Sequence, residues 1–343
     1  MILLTMGKQK IKLAINGFGR IGRNVCKVAL ATPGVTVVAI NDLTDSKTLA
    51  HLFKYDSVHG RFPGTVSYTD TGIVIDGVTI PVYAQRNPAD LPWEQHDVDV
   101  AIESTGIFTQ GSSDRGGYLD HIKAGAKKVI LTVPAKDAIQ TIVLGVNNAE
   151  IKPDTVAYSN ASCTTNCLAP LATVIHTAFG IEKGFMNTVH AYTNDQKILD
   201  LPHSDLRRAR AASESIIPTT TGAAKAVGLV IPDLVGKLDG GAMRVPVKNG
   251  SVIDLTLVLK NIPSRDSIIH TLKSAAAGDL AGIMEYTEEP IVSCDIIGNP
   301  HSTIVDGLCT MVMGNLVKLV AWYDNEWGYS NRVVDLAISI TGA

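Results

Sequence analysis

The segment Ser159-Asn-Ala-Ser-Cys-Thr-Thr-Asn-Cys167 carries the residues best suited to covalent chemistry. It lies where a short strand gives way to a long helix predicted over Thr164–Phe179. Ser162 or Asn160 can cap that helix through a side-chain oxygen. Cys163 then falls in the first turn, where unpaired N–H groups and the helix dipole stabilise a thiolate. Cys167 lies one turn deeper, before Leu168 and Leu171, and reads as a small buried hydrophobe, as do Cys26, Cys294 and Cys309. A thiol nucleophile needs a base. Of nine histidines, His190 ends the strand-like Phe185–Val189, a position that suits either packing or a site, whereas His176 sits in mid-helix. No metal site is expected: the Cys163/Cys167 pair has no second pair at ligand spacing, and H-E-x-x-H is absent.

Three other segments suit anions. Leu201–Arg210 is the most basic local cluster, with Arg207, Arg208 and Arg210. Pro218-Thr-Thr-Thr-Gly222 sets three hydroxyls before a helix start, a natural phosphate seat. Arg244 stands alone among apolar residues, where a guanidinium is expensive to bury without an anion.

Asn16-Gly-Phe-Gly-Arg-Ile-Gly22 contains G-x-G-x-x-G, follows a strand, opens a helix over Arg20–Leu30, and has Asp42 placed 20 residues beyond Gly22. Gly17 permits the tight turn, Gly19 lets the backbone approach a pyrophosphate, and Gly22 lets the helix pack on the strand. Asp42 can bond ribose hydroxyls and repels a 2′-phosphate, so NAD is expected over NADP.

The surrounding elements must position these groups. Strands at Ile11–Ile15, Val35–Ile40, Val98–Glu103, Val129–Val133 and Ile142–Val146 alternate with helical stretches, including Asp114–Ala124. That pattern argues for an α/β fold with a Rossmann-type parallel sheet. After Asn160 the texture changes. Ser251–Lys260 alternates in strand fashion, Ile291–Ile297 and Leu316–Tyr323 read as strands, and few helices intervene. This half is expected to be α+β with a largely antiparallel sheet. Asn331–Ile340 closes the chain as an amphipathic helix.

At 343 residues the chain is long enough for about two domains. With 45% hydrophobic and 18% charged residues it is not a disordered chain. A net charge of −3 argues against a general grip on nucleic acid or anionic membrane. Five cysteines, an odd number, suit free thiols in a reducing, cytoplasmic setting. The N-terminus lacks a signal-peptide apolar region. The stretch before Ile11 reads as a loose tail, with Met6 as an alternative start.

The motifs together resemble the phosphorylating, NAD-dependent glyceraldehyde-3-phosphate dehydrogenases. The likeness runs from Ile11 to the C-terminus through INGFGRIGR at 15–23, ASCTTNCLAP at 161–170, HAYTNDQ at 190–196, RRARAA at 207–212, TTTGAAKA at 219–226, AMRVPV at 242–247 and WYDNEWGYSNRVVDLA at 322–337. The resemblance implies an NAD-binding domain over residues 1–162, a catalytic domain over 163–324, and a terminal helix over 325–343 that packs back on the first. It implies Cys163 as nucleophile and His190 as base. Gly17, Gly19, Arg20, Ile21, Gly22, Asp42, Arg86, Thr132 and Asn325 would bind NAD. Ser162, Cys163, Thr164, Thr193, Arg208, Thr221, Gly222 and Arg244 would serve the phosphorylated aldehyde and inorganic phosphate. A thioester intermediate and a homotetramer are also implied, with neither nucleic acid nor membrane as partner.

Erythrose-4-phosphate dehydrogenase shares this scaffold and chemistry and is the alternative. The aspartate-semialdehyde type would not need the anion seats at TTTGAAKA and AMRVPV. A non-catalytic NAD- or RNA-binding protein would not need Cys163 and His190 together.

Overall fold

The computed structural model describes residues 10–342, so the N-terminal tail and the Met6 start lie outside the described residues. By contact the chain divides into two units. The first comprises the described residues of Met1–Gln140, Ile151–Asn160 and Val333–Ala343; the second comprises Thr141–Glu150 and Ala161–Arg332.

A nine-stranded sheet runs in the order Gln140–Thr141, Ala157–Ser159, Lys128–Leu131, Val100–Glu103, Ile11–Asn16, Val35–Asn41, Val78–Tyr83, Gly72–Ile75 and Val66–Thr69. From Ala157–Ser159 to Val78–Tyr83 neighbours pair in parallel, and the last strands form antiparallel hairpins. The chain order reverses about Ile11–Asn16, which pairs with Val35–Asn41 on one side and Val100–Glu103 on the other. Ligands of such sheets bind beyond the carboxyl ends of the strands at this switch point. The apolar core beside it includes Ala14, Ala39, Trp93, Ala101 and Val129.

The second unit is built on a seven-stranded sheet: Ile217–Thr220, Leu238–Val245, Ile181–Ala191, Ser251–Leu259, Leu316–Tyr323, Thr303–Met313 and Met284–Thr287. It is parallel only between Ile181–Ala191 and Leu238–Val245 and between Met284–Thr287 and Thr303–Met313; the remaining neighbours are antiparallel. The period-two pattern of Ser251–Leu259 buries Ile253, Leu255, Leu257 and Leu259 fully. The Cys163–Phe179 helix brings Leu168, Leu171 and Ile175 into the same core.

Several expected elements differ. Asp114–Ala124 forms a helix only at Asp120–Lys123. Gly116 takes a left-handed φ of 96°, and Asp120 Oδ2 accepts from the Gly117 N–H at 2.8 Å, so the preceding residues turn instead of coiling. Ile142–Val146 is not a strand: Asn147 Oδ1 caps the Val143 N–H at 2.9 Å, Gly145 turns at φ 84°, and Val143 joins the core of the second unit. Ile291–Ile297 is a series of turns, pinned where Asp295 Oδ2 accepts from the Val292 N–H at 2.7 Å. The strand Thr303–Met313 was not foreseen. The C-terminal helix starts at Trp327, because Asp324 Oδ1 accepts from the N–H groups of Glu326 and Trp327. Along that helix, residues from Val333 onward group with the first unit.

Candidate active site

The Cys163–Phe179 helix opens on Ser162, whose Oγ accepts from the Thr165 N–H at 3.1 Å; of the two expected caps, Ser162 is the one used. Just before it Ala161 holds a left-handed φ of 53°, an uncommon conformation for a residue with a Cβ. This turn brings Cys163 to the helix mouth, half-buried. Cys163 Sγ lies 3.6 Å from His190 Nε2. Burial pushes the Cys163 thiol up; the Arg244 charge and hydrogen bonds from Thr164 oppose that push. Cys167 is fully buried against Thr303, and burial drives its thiol well above the ordinary range.

His190 ends its strand beside Arg244, its register partner on Leu238–Val245. Its Nδ1 lies 2.7 Å from Ala191 O and 2.6 Å from Arg244 Nη1. Burial first, then Arg244, bring the imidazole down to about 3. Arg244 also donates to Ala191 O at 3.0 Å, and its buried Nε has no hydrogen-bond partner among the described residues. A buried guanidinium N–H without an acceptor invites an anion.

One strand further out lies the second cluster. Of the three neighbouring arginines, Arg208 is the one tied to the threonine segment. Its Nε donates to Thr219 Oγ1 at 2.9 Å and its Nη2 to Thr220 O at 3.3 Å. Asp195 pairs with it at 2.7 Å. Arg207 is exposed, and exposed Arg210 pairs with Asp200. Thr221 Oγ1 accepts from the Ala223 N–H, and Gly222 caps the Ala223–Val230 helix without a side chain, leaving first-turn N–H groups open to an anion. Half-buried Thr193 opens a turn closed by Gln196. The Thr164 hydroxyl, expected on phosphate, bonds the Tyr323 hydroxyl at 2.8 Å.

In the first unit the glycine turn fits a dinucleotide. A Cβ on Gly22 would stand 2.1 Å from Gly17 O, and one on Gly17 2.8 Å from the Thr105 nitrogen. Gly19 meets nothing within 4 Å and caps the Arg20–Ala31 helix with no side-chain bond, leaving an open, N–H-lined cradle for a pyrophosphate. Asp42 Oδ2 accepts from the Phe18 N–H at 2.8 Å and Oδ1 from the Thr44 N–H at 3.0 Å, so the acid also braces this turn. Arg20 pairs with Asp56 at 2.9 Å. Ile21 is half-buried, Arg86 is exposed, and Thr132 is buried with its hydroxyl on Glu103 O. In the second unit Asn325 is buried, its Oδ1 accepting from Ser251 Oγ at 2.8 Å.

Comparison with known proteins adds a decisive observation. Residues 11–111 match the NAD-binding domain of glyceraldehyde 3-phosphate dehydrogenase, and residues 162–325 match its C-terminal domain. A glyceraldehyde-3-phosphate dehydrogenase of Borreliella burgdorferi is 64% identical over 331 residues, covering 95% of this chain and 98% of the relative. One from Geobacillus stearothermophilus is 57% identical over 332 residues, covering 96% and 98%. Glyceraldehyde-3-phosphate dehydrogenase 1 of Bacillus subtilis is 57% identical over 334 residues, with the same coverage.

The chain belongs to the glyceraldehyde-3-phosphate dehydrogenase family. As a family member it is an NAD-dependent dehydrogenase, and the cradle described above suits that cofactor. Sequence reasoning passed over three residues that shape this dehydrogenase's site. Tyr323 bonds both Thr164 and Thr188 and lies edge-on to the His190 ring, with centroids 5.9 Å apart. Ser251 orients Asn325 and also accepts the Ala191 N–H at 3.1 Å. Asp195 steers Arg208. Each stands far in sequence from its partner or in a segment without periodicity; the HAYTNDQ match at 190–196 spans Asp195 and the match at 322–337 spans Tyr323, but neither gave the residue a role.

Proposed function

We propose that the chain oxidises glyceraldehyde 3-phosphate to 1,3-bisphosphoglycerate with NAD⁺ and phosphate through a thioester on Cys163. The observation that carries this reading is the 3.6 Å Cys163 Sγ–His190 Nε2 contact with Arg244 and Arg208 placed on the neighbouring strand and its flank. Cys163 Sγ attacks the aldehyde carbon, the carbonyl electron pair moves to oxygen, and the proton that leaves the thiol passes to that oxygen. His190 Nε2 then takes that hydroxyl proton as the C=O re-forms as a thioester. Bound NAD⁺ supplies the hydride acceptor. Amide N–H groups at the helix mouth favour the oxyanion. Phosphate oxygen next attacks the acyl carbon, the C–S bond breaks, and the Cys163 thiolate returns. Arg244 suits the substrate's own phosphate, with Thr193 beside it. Arg208, Thr221, Gly222 and Thr164 suit the attacking phosphate, and Ser162 holds the helix mouth between these roles. Gly17, Gly19, Arg20, Ile21, Gly22, Asp42, Arg86, Thr132 and Asn325 remain the proposed NAD contacts.

The deciding assay is NADH formation on a panel of small aldehydes. A stoichiometric burst without phosphate, then steady turnover on adding phosphate or arsenate, is the expected result. Equal turnover without phosphate, or a higher kcat/KM for erythrose 4-phosphate, overturns the reading. The relatives' names favour glyceraldehyde 3-phosphate over the four-carbon alternative.

The homotetramer is part of the same proposal. Strand register lines up Phe185, Thr256, Lys318 and Met311 across the outer face of the seven-stranded sheet. On that sheet Phe185 is 73% exposed, Met311 61% and Met313 73%. Exposed apolar side chains of this size beside the Lys318–Asp254 ion pair suit a mixed interface with a second copy of the chain. Light scattering should give a tetramer mass, reduced by Phe185→Asp. The free cysteines favour a reducing, cytoplasmic compartment. Among the described residues no helix is long and apolar enough to cross a membrane.

A further inference from the structure

A buried carboxylate stands beside the glycine turn and has no part in the chemistry proposed above. Glu103 ends the Val100–Glu103 strand at the switch point. Strand register sets it level with Asn16, and Asn16 level with Asn41. Four donors converge on it. Asn16 Nδ2 donates to Oε2 at 2.6 Å, and His121 Nε2 lies 3.0 Å from the same oxygen. The Thr105 N–H donates to Oε1 at 2.8 Å. The Thr105 hydroxyl, which accepts from the Ile107 N–H, turns its own proton to that oxygen too.

Both side-chain relays that end on Oε2 begin at a group that can only donate. The Trp93 indole N–H donates to His121 Nδ1 at 2.9 Å, so Nδ1 carries the lone pair and the Nε2 proton points at Glu103. On the other side the Gln85 backbone N–H donates to Asn41 Oδ1 at 2.8 Å. That makes Asn41 Nδ2 the donor to Asn16 Oδ1 at 2.7 Å, and so makes Asn16 Nδ2 the donor to Glu103. Neither relay can reverse without setting two donors face to face. Residue 103 must therefore accept on both oxygens, which a carboxylate does and a carboxamide of the same size cannot.

The segments joined in this way are the walls of the dinucleotide cradle. Ser104 Oγ donates to Gly17 O at 2.7 Å, and the Thr105 nitrogen is the atom that a Cβ on Gly17 would meet first. The Gly17 N–H donates to Asn41 O at 2.8 Å, one residue before Asp42. Gln85 immediately precedes Arg86. The Thr132 N–H donates to Glu103 O at 3.0 Å. We infer that Glu103 is a positioning residue for NAD: it holds the glycine turn, the Asn41–Asp42 strand end and the 104–107 loop at the spacing a dinucleotide needs, with Trp93 and Gln85 fixing it in the accepting role. It acts through these segments, because both of its oxygens are already occupied by donors. This assignment rests on the cradle being the NAD site, whichever aldehyde is oxidised.

The test is calorimetric binding of NAD to the full chain, with circular dichroism to confirm folding. Glu103→Gln keeps the size and turns an NH₂ group on donors that cannot reverse, so one wall must move. Its Kd for NAD should rise about tenfold or more, while kcat at saturating NAD and the KM for aldehyde stay near the parent values. Asn16→Asp alone sets two carboxylates together and should weaken NAD as much. Combining Asn16→Asp with Glu103→Gln returns a single carboxylate to the junction, facing the new amide and Asn41 Nδ2, and should bind NAD better than either change alone. A residue that merely fills the core would give additive losses of stability and an unchanged Kd in the folded fraction. An unchanged Kd in folded Glu103→Gln, or a double variant weaker than both single ones, overturns the inference. If no variant folds, the unaltered ¹⁵N-labelled chain decides. His121 should carry its proton on Nε2, and saturating NAD should shift the side-chain N–H signals of His121 and Asn16; a proton on Nδ1, or signals that stay put, overturns it. An NADH assay with glyceraldehyde 3-phosphate on the same sample separates the two ideas: a chain that binds NAD but oxidises no such aldehyde sinks the proposed function and leaves the binding result standing.

Discussion

Tyr323 and Thr164 share a hydrogen bond of 2.8 Å across 159 positions of sequence, and the same phenol meets Thr188 at 2.8 Å. One buried hydroxyl therefore ties the helix that carries Cys163 to the strand that carries His190. Tyr323→Phe leaves two buried threonine hydroxyls short of a partner. The expected loss is about 1–3 kcal/mol in a denaturant melt, with a lower kcat and little change in NAD affinity. An unaltered kcat would show that the tie does not hold the pair in place.

Cys163→Ala should abolish NADH formation in a folded protein, and iodoacetamide should inactivate the parent protein through the Cys163 peptide although exposed Cys294 also takes the label. Cys167→Ala should keep both, because its thiol is buried and its burial disfavours the thiolate. Peptide mapping of the labelled site checks this directly; a label on Cys167 contradicts the assignment.

Asp42 combines a charge with a brace on Phe18. Asp42→Asn keeps an oxygen acceptor for the Phe18 N–H and removes the charge. The NAD-to-NADP ratio of kcat/KM should then fall by about 10–100-fold, since a close like-charge repulsion costs several kcal/mol. A wild-type enzyme indifferent to the two cofactors would refute the role.

His190 is brought down to about 3 in the fold, chiefly by burial, against about 6.5 unfolded. Between those values the unfolded chain binds a proton that the folded chain refuses. Stability from this group is therefore complete above about pH 6.5 and declines as pH falls toward 3, by about 1.4 kcal/mol per pH unit at most. Urea midpoints at pH 7 and pH 5 should lie closer together in His190→Asn than in the unaltered chain. An identical pH dependence in the variant would contradict this assignment.

Arg208→Leu should raise the KM for inorganic phosphate more than that for aldehyde, whereas Arg207→Leu and Arg210→Leu should leave both near wild type. The basis is that Arg208 alone of the three is bonded to Thr219 and Thr220. A larger effect at Arg207 or Arg210 would move the seat.

The legible parts of this molecule were those written locally. A glycine turn between strand and helix, and a cysteine one residue beyond a serine cap, announce themselves within a dozen positions. The alternation in Ser251–Lys260 marked a strand, and its wholly apolar side is the buried one. Tertiary decisions were not legible. Asp114–Ala124 has helical spacing, yet the adjacent Gly116 and Gly117 and the backward bond from Asp120 confine the helix to its end. Ile142–Val146 is apolar enough for a strand, but Val143 is claimed by the other core. Tyr323 looked like one more aromatic in a strand; its chemistry depends on two threonines brought to it only by the finished sheet.

His190 and Arg244 face each other because their strands pair in parallel register, with Val189 opposite Met243 one step earlier. A slip of a single residue would exchange the guanidinium for a thioether that otherwise faces outward. The two residues are 54 positions apart and meet only after a non-local pairing has closed, the kind of event that comes late and slowly in folding. Newly made chains can thus possess their helices, and even their reactive thiol, before they possess a working base. During that interval the Cys163 thiol lacks the ring that would take its proton, so covalent chemistry at the helix mouth waits on the pairing of two strands.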